Sequence, residues 1–97
     1  MRVISRKPLN QLAKRFPEAK AELDAWFHEV EAARWATPAQ IKQQYGSASI
    51  LKGSRVVFNI CGNKYRLVVR INYPFSVVFV RFAGTHQEYD RVDAEEI

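Results

Sequence analysis

Three runs rich in β-branched and aromatic residues follow one another closely: Arg55 to Ile60, Tyr65 to Ile71 and Val77 to Phe82. Only Cys61-Gly62-Asn63-Lys64 and Asn72-Tyr73-Pro74-Phe75-Ser76 separate them, and both connections carry turn-forming residues. Links this short join antiparallel neighbours, so the segment is expected to fold as a β-meander. In the middle run Tyr65, Leu67, Val69 and Ile71 alternate with Arg66, Val68 and Arg70, which places the first set on a core face and the second on the other. With Gly62 and Asn63 as loop residues, Ile60 opposes Tyr65 and Asn59 opposes Arg66. Val56 and Phe58 then join the core, and Arg55 and Asn59 join the arginines. Val78, Val80 and Phe82 are expected in the core, leaving Arg81 with the basic set.

Before the meander the pattern is helical. Arg2 to Ser5 is a short strand candidate; Pro8 suits a first helical turn, and Leu9, Leu12, Ala13 and Phe16 recur at helical spacing until Pro17. A second helix is expected from Glu18 to about Trp35, with Leu23, Trp26, Phe27, Val30 and Ala33 as its apolar stripe. Thr37-Pro38-Ala39-Gln40 reads as a capping box opening a third helix that runs to about Tyr45 and ends at Gly46. Beyond the meander, Ala83-Gly84 is expected to break the last strand, and Thr85 to about Asp93 to make a short helical turn before an acidic tail. The 97 residues suffice for one core but not for an enclosed substrate cavern, so one domain over residues 1–97 with an open cleft is the expectation.

Charge is unevenly placed along this framework. Between Ala32 and Gln87 there is no carboxylate in 56 residues, whereas eight bases occur: Arg34, Lys42, Lys52, Arg55, Lys64, Arg66, Arg70 and Arg81. The net charge of +5 is a sum of +9 over residues 1–87 and −4 over residues 88–97. Paired-carboxylate glycosidases and magnesium sites need acids where the site forms, so those chemistries are excluded from the meander. A solubilising charge excess would account for the count. Convergence on one sheet face without interspersed acids points instead to an anion-binding surface, because like charges placed close together repel. Guanidinium forks match phosphate oxygens, which makes Arg66 and Arg81 the leading phosphate candidates, with Asn59, Arg70, Arg55 and Lys52 as further contacts for an anionic ligand.

Four other features narrow the chemistry. Cys61 is the sole cysteine, so no internal disulfide forms and a reducing cytoplasm is expected; it reads as small apolar filler, with a nucleophilic thiol as the other reading. Cys61, His28 and His86 have no zinc spacing, and no metal or cofactor is expected. No signal peptide or membrane span is expected: Arg2 interrupts the start, and no stretch approaches the roughly 20 apolar residues of a span. His86, four residues past Phe82, is placed to reach the rim of the basic face with Tyr89 and Asp90 close behind; it can serve as a proton carrier or as a capping residue.

The segments Phe58-Asn59, Gly62-Asn63, Tyr65-Arg66, Val80-Arg81-Phe82 and Thr85-His86-Gln87-Glu88-Tyr89-Asp90 resemble the HigB toxin family of type II toxin-antitoxin systems, within the RelE/ParE superfamily. The resemblance runs along nearly the whole chain. It implies an α+β fold, a RelE-like small twisted antiparallel sheet, mixed at the N-terminal strand, with two to three helices on one face. It also implies an mRNA endonuclease acting on translated message at the ribosome, held inactive by a helix-turn-helix antitoxin. Arg66 matches the arginine that supports the scissile phosphate in RelE-type toxins, and His86 with Tyr89 matches the C-terminal part of their active site. RelE-type sites have two lysines on the strand before the hairpin where this chain has Val57 and Asn59, which leaves the general base open among His86, Lys64 and Tyr89. The competing reading is a binding toxin of ParE type that blocks DNA gyrase, or a basic RNA-binding module without catalysis.

Overall fold

A computed structural model describes residues 1–97. Strand β1 (Arg2–Ile4) leads into α1 (Lys7–Arg15), a single 3-10 turn (Pro17–Ala19), α2 (Lys20–Ala32) and α3 (Pro38–Gln44). Strands β2 (Ser49–Leu51), β3 (Arg55–Ile60), β4 (Tyr65–Asn72) and β5 (Val77–Thr85) follow, and α4 (His86–Tyr89) closes the order. The five strands form one sheet in the order β1-β5-β4-β3-β2. Neighbours are antiparallel except β1 and β5, which run parallel. This is the mixed α+β architecture the resemblance implied.

Local chemistry sets the helix boundaries. Pro17 excludes the helical region for the residue before it, and Phe16 accordingly sits at φ −131°, ψ 83°, ending α1. Leu23, Trp26 and Val30 form the buried stripe of α2, whose last carbonyls accept from the Met1 nitrogen at 3.2 Å (Val30) and 3.0 Å (Glu31). At the start of α3, Gln40 Oε1 accepts from the Ala36 and Thr37 amides at 2.6 and 3.3 Å, the reciprocal half of the expected capping box. The second helix is shorter than its stripe suggested, because Pro17–Ala19 forms a 3-10 turn and Ala33 leaves the helix with extended backbone.

The principal core lies between the helices and one face of the sheet. Phe58 is its hub: the rings of Trp26, Trp35 and Tyr45 surround it at centroid distances of 5.4, 6.2 and 5.1 Å. Val56, Ile60, Tyr65, Leu67, Val69, Ile71, Val78 and Val80 supply the rest of the sheet side. The β3–β4 register has the expected pairs, Ile60 with Tyr65 and Asn59 with Arg66.

Three features depart from the sequence reading. Strand β2 was not expected; its three residues are too few to show alternation. The last strand is not broken at Gly84 but continues to Thr85. It does so through a bulge: Val69 opposes Val80 and Val68 opposes Phe82, so Arg81 is the extra residue. The bulge shifts the alternation by one, and Phe82 therefore leaves the helix-covered core and joins Val57, Val68 and Ala94 in a second cluster on the opposite face.

Candidate functional site

Asn59, Arg66 and Gly84 form one row across β3, β4 and β5, on the face that carries no helix layer. The Arg66 guanidinium donates through Nη1 to the Asn63 carbonyl at 3.1 Å, and its Cζ lies 5.8 Å from the centroid of the Tyr89 ring. No carboxylate pairs with it, so most of its fork remains available. The anchor is the hairpin carbonyl of Asn63; Asn59 lies beside Arg66 in the ladder but makes no hydrogen bond with it. The His86 amide donates to the Lys64 carbonyl at 3.0 Å, which extends the β4–β5 ladder by one step and sets the two backbones side by side. His86 Nδ1 lies 3.2 Å from Asp90 Oδ2. Lys64 is exposed and its amine has no partner. The four residues singled out for catalysis, Arg66, His86, Tyr89 and Lys64, thus come together at one end of the sheet.

Glu88 and Asp90, acids that from the sequence could shield the basic face or position His86, hold α4 there, with one long-range partner the sequence does not mark. Thr85 Oγ1 accepts from the Glu88 amide at 3.1 Å, and Glu88 Oε1 accepts from the Thr85 amide at 2.9 Å. Glu88 also takes a two-pronged contact from Arg15 of α1, at 3.2 and 3.1 Å. A capping box is legible in Thr85-His86-Gln87-Glu88, but the partner from α1 is 73 residues distant and has no local signal. The Thr85 amide and the Arg15 guanidinium hold the Glu88 carboxyl below the usual carboxylate value. At the hairpin, the Tyr65 hydroxyl donates to Glu18 Oε2 at 2.7 Å, which lowers the Glu18 carboxyl and pushes the Tyr65 phenol up to about 12.

Both carboxylates favour the folded state when ionised, because their folded pKa values lie below those of the unfolded chain. Their contribution is present above about pH 4.5 and is lost as pH falls through the lowered values. Tyr65 works in the other direction, contributing below about pH 10 and losing that contribution as pH rises through about 12. The thermal midpoint should therefore drop between pH 6 and pH 3, and Glu88→Gln or Glu18→Gln should each shrink that drop. An unchanged pH dependence in both variants would show that these contacts carry no linkage.

Gly84 is where α4 and the strand meet. A Cβ there would stand 2.7 Å from Phe82 Cζ and 2.9 Å from Glu88 Oε1. Phe82 belongs to the second apolar cluster and Glu88 is pinned by three donors, so neither yields freely. Gly84→Ala should cost about 1–3 kcal/mol, measured by urea unfolding, and should displace α4 with its candidate residues.

The remaining basic candidates are divided. Arg55 is tied down: its Nε donates to the Ile97 oxygen at 2.7 Å and its Nη1 to the Gly53 carbonyl at 3.3 Å. Arg70 opposes Arg55 in the ladder and is exposed; Arg81 is exposed at the bulge; Lys52 is exposed in the turn after β2. Between the Arg66 row and the Arg55–Arg70 row lie Val57 and Val68, 3% and 0% exposed, packed with Ala94 and flanked by Leu51, Phe82, Tyr89 and Ile97. The continuous basic face inferred from alternation is in fact two basic ends separated by an apolar strip beneath the acidic tail. Cys61 fits the filler reading: it packs against the core, its amide donates to Glu22 Oε2 at 2.6 Å, and burial, aided by Glu22, raises its thiol pKa.

No cavity is lined by Arg66, His86 or Lys64; Tyr89 and Asp90 line a shallow one of about 590 Å³ against the tail, and one of about 320 Å³ lies between α1 and α2 on the helix layer. The candidate site is an open surface. No group of three or more His, Cys, Asp or Glu side chains gathers to hold a metal ion, and no helix is long and apolar enough to cross a membrane.

The family model of the HigB toxins, described as the RelE-like toxic component of a toxin-antitoxin system, matches residues 19–92. The chain belongs to this family. Among curated relatives, the mRNA interferase toxin HigB of Escherichia coli strain K12 is 29% identical over 92 residues, covering 93% of this chain and 88% of that one. The mRNA interferase HigB of Shigella flexneri has the same identity and coverage. That of Escherichia coli O6:H1 is 23% identical over 94 residues, covering 95% and 91%. The HigB family match takes in the hairpin, β5 and α4, whereas β1 and α1, including Arg15, precede it. In this HigB-family toxin the contact from Arg15 thus reaches the matched region from outside.

Proposed function

We propose that this toxin is an mRNA endonuclease whose active end is the Arg66, Lys64, His86 and Tyr89 group, acting on message under translation. The observation that carries the reading is the unpaired Arg66 fork at the same end of the sheet as a histidine whose Nδ1 faces a carboxylate, at 3.2 Å, on an open surface. A carboxylate there draws a proton to Nδ1 and leaves Nε2 as the nitrogen able to accept one. His86 would take the proton of an RNA 2′-hydroxyl as that oxygen attacks the adjacent phosphorus. The bond from phosphorus to the 5′-oxygen breaks, a 2′,3′-cyclic phosphate remains, and the leaving oxygen takes up a proton. Arg66 would stabilise the charge gathering on the phosphorane. Lys64 and Tyr89 are the other groups within the cluster able to handle the second proton.

Arg81 stands three positions from Gly84 along β5, roughly 10 Å from the Arg66 row at strand spacing, so it suits a neighbouring phosphate better than the scissile one. Asn59, Arg70 and Lys52 supply further contacts; Arg55 does so only when Ile97 releases it. An open site supplies little alignment of its own, which supports the ribosome as the element that presents the message. The family role implies an antitoxin; a helix-turn-helix partner, a cytoplasmic location and a single toxin domain over residues 1–97 complete the proposal.

Mapping of 5′ ends after induced expression tests it. New message ends in phase with codons support cleavage during translation. Cuts without codon phase, equally frequent in naked RNA, overturn the ribosome's part. Intact message with DNA damage overturns the nuclease in favour of the gyrase-blocking reading.

A further inference from the structure

The face bearing Arg66 has a second feature at its far end. Arg70 and Phe79 oppose each other in the β4–β5 ladder, and with Asn72, Tyr73 and Pro74 they line a cavity of about 300 Å³. This is the lower end of small-molecule sites, a size for one planar ring system. Beside it Phe75, at the tip of the β4–β5 turn, is 78% exposed, the most exposed large apolar side chain in the protein. The turn is rigidly made: the Ser76 amide donates to the Tyr73 carbonyl at 3.1 Å, the Phe75 amide to Asn72 Oδ1 at 3.2 Å, and the Arg2 amide to the Ser76 carbonyl at 2.8 Å. The Asn72 side-chain Nδ2 donates to no group of the protein. No carboxylate pairs with Arg70 or with Arg2, which lies on the neighbouring strand opposite Val77.

We infer that this cavity and Phe75 form a cradle for an unpaired RNA base several nucleotides from the cleaved bond. Exposed aromatic rings with unpaired arginines are the composition that stacks single-stranded bases and holds their phosphates, and a preset turn loses little freedom on binding. Arg70 is four positions from Arg66 along β4, about 13 Å, and Asn72 is six, about 20 Å. The acidic tail over Val57 and Val68 closes the direct line between them, so the open route runs along β5, where the bulge exposes Arg81 midway.

The inference rests on the RNA-cleaving reading, and its test separates the two. Fluorescent unpaired oligoribonucleotides of four and ten nucleotides are titrated with the wild type, Phe75→Ala and Arg70→Gln, both exposed positions outside the core. The wild type should bind the ten-mer about tenfold tighter than the four-mer, and each variant should narrow that gap to about twofold. No length advantage in the wild type, or ten-mer affinity equal to wild type in both variants, overturns the cradle. A length advantage in a wild type that leaves message intact in a translating extract sinks the nuclease and supports the cradle. A photoreactive phenylalanine analogue at position 75, in message-programmed ribosomes, then identifies the source. A crosslink to message supports the inference and assigns the base; a crosslink to ribosomal RNA or to protein alone overturns it.

Discussion

Arg66→Ala should lower message cleavage by about 10²- to 10³-fold while shifting the unfolding midpoint little. The rate loss follows from removing a fixed donor from a phosphorane that gathers charge in the transition state. The small stability loss follows from its surroundings: the side chain lies off the principal core and leaves behind only the Asn63 carbonyl contact and the Tyr89 ring at 5.8 Å. An exposed cation–π contact contributes about 0.5–1 kcal/mol. Arg66→Lys should restore charge without restoring most of the rate, because an ammonium cannot present two parallel donors to one phosphate. Single-turnover cleavage of a defined message on programmed ribosomes measures both. Full activity in Arg66→Ala would sink the assignment of the site.

The second large effect belongs to His86. Its backbone is bonded to Lys64 and its Nδ1 faces Asp90, so the ring is held at the rim with the other nitrogen free. His86→Ala should cost about 10²- to 10⁴-fold in single-turnover rate, the range of positioned proton transfer. Asp90→Asn should cost less, since both side chains of that pair are about half exposed and solvent screens them. Lys64→Met and Tyr89→Phe should fall between those limits and wild type. A wild-type rate in His86→Ala with a collapse in Lys64→Met would transfer the proton-accepting role to the lysine.

The parts of the fold written in adjacent residues were legible. The β3–β4 register followed from Gly62-Asn63 and strict alternation, the end of α1 from Pro17, and the start of α3 from Thr37-Pro38-Ala39-Gln40. The bulge was not, because Val77-Val78-Phe79-Val80-Arg81-Phe82 is apolar at nearly every position and reads equally well in either phase. That acids of the tail could shield part of the basic face was legible, but the tail's apolar packing was missed for a different reason. Val57, Val68, Tyr89, Ala94 and Ile97 form their cluster from strand and tail positions 21 to 40 residues apart, and nothing periodic marks them as partners. The site was legible as a set of residue types, Arg66 with His86, Lys64 and Tyr89. Its scaffold was not, since Arg15, Gly84 and Glu88 act through one long-range contact and one steric limit.

The parallel pairing of β1 with β5 joins residues 2–4 to residues 77–79. The first strand to leave the ribosome thus waits for the last one before its backbone groups are satisfied, and contacts of such sequence separation form slowly. The elements that assemble the proposed cleaving end, β4, β5 and α4, are also made late. A growing chain therefore lacks the proposed site until synthesis has passed β5 and α4.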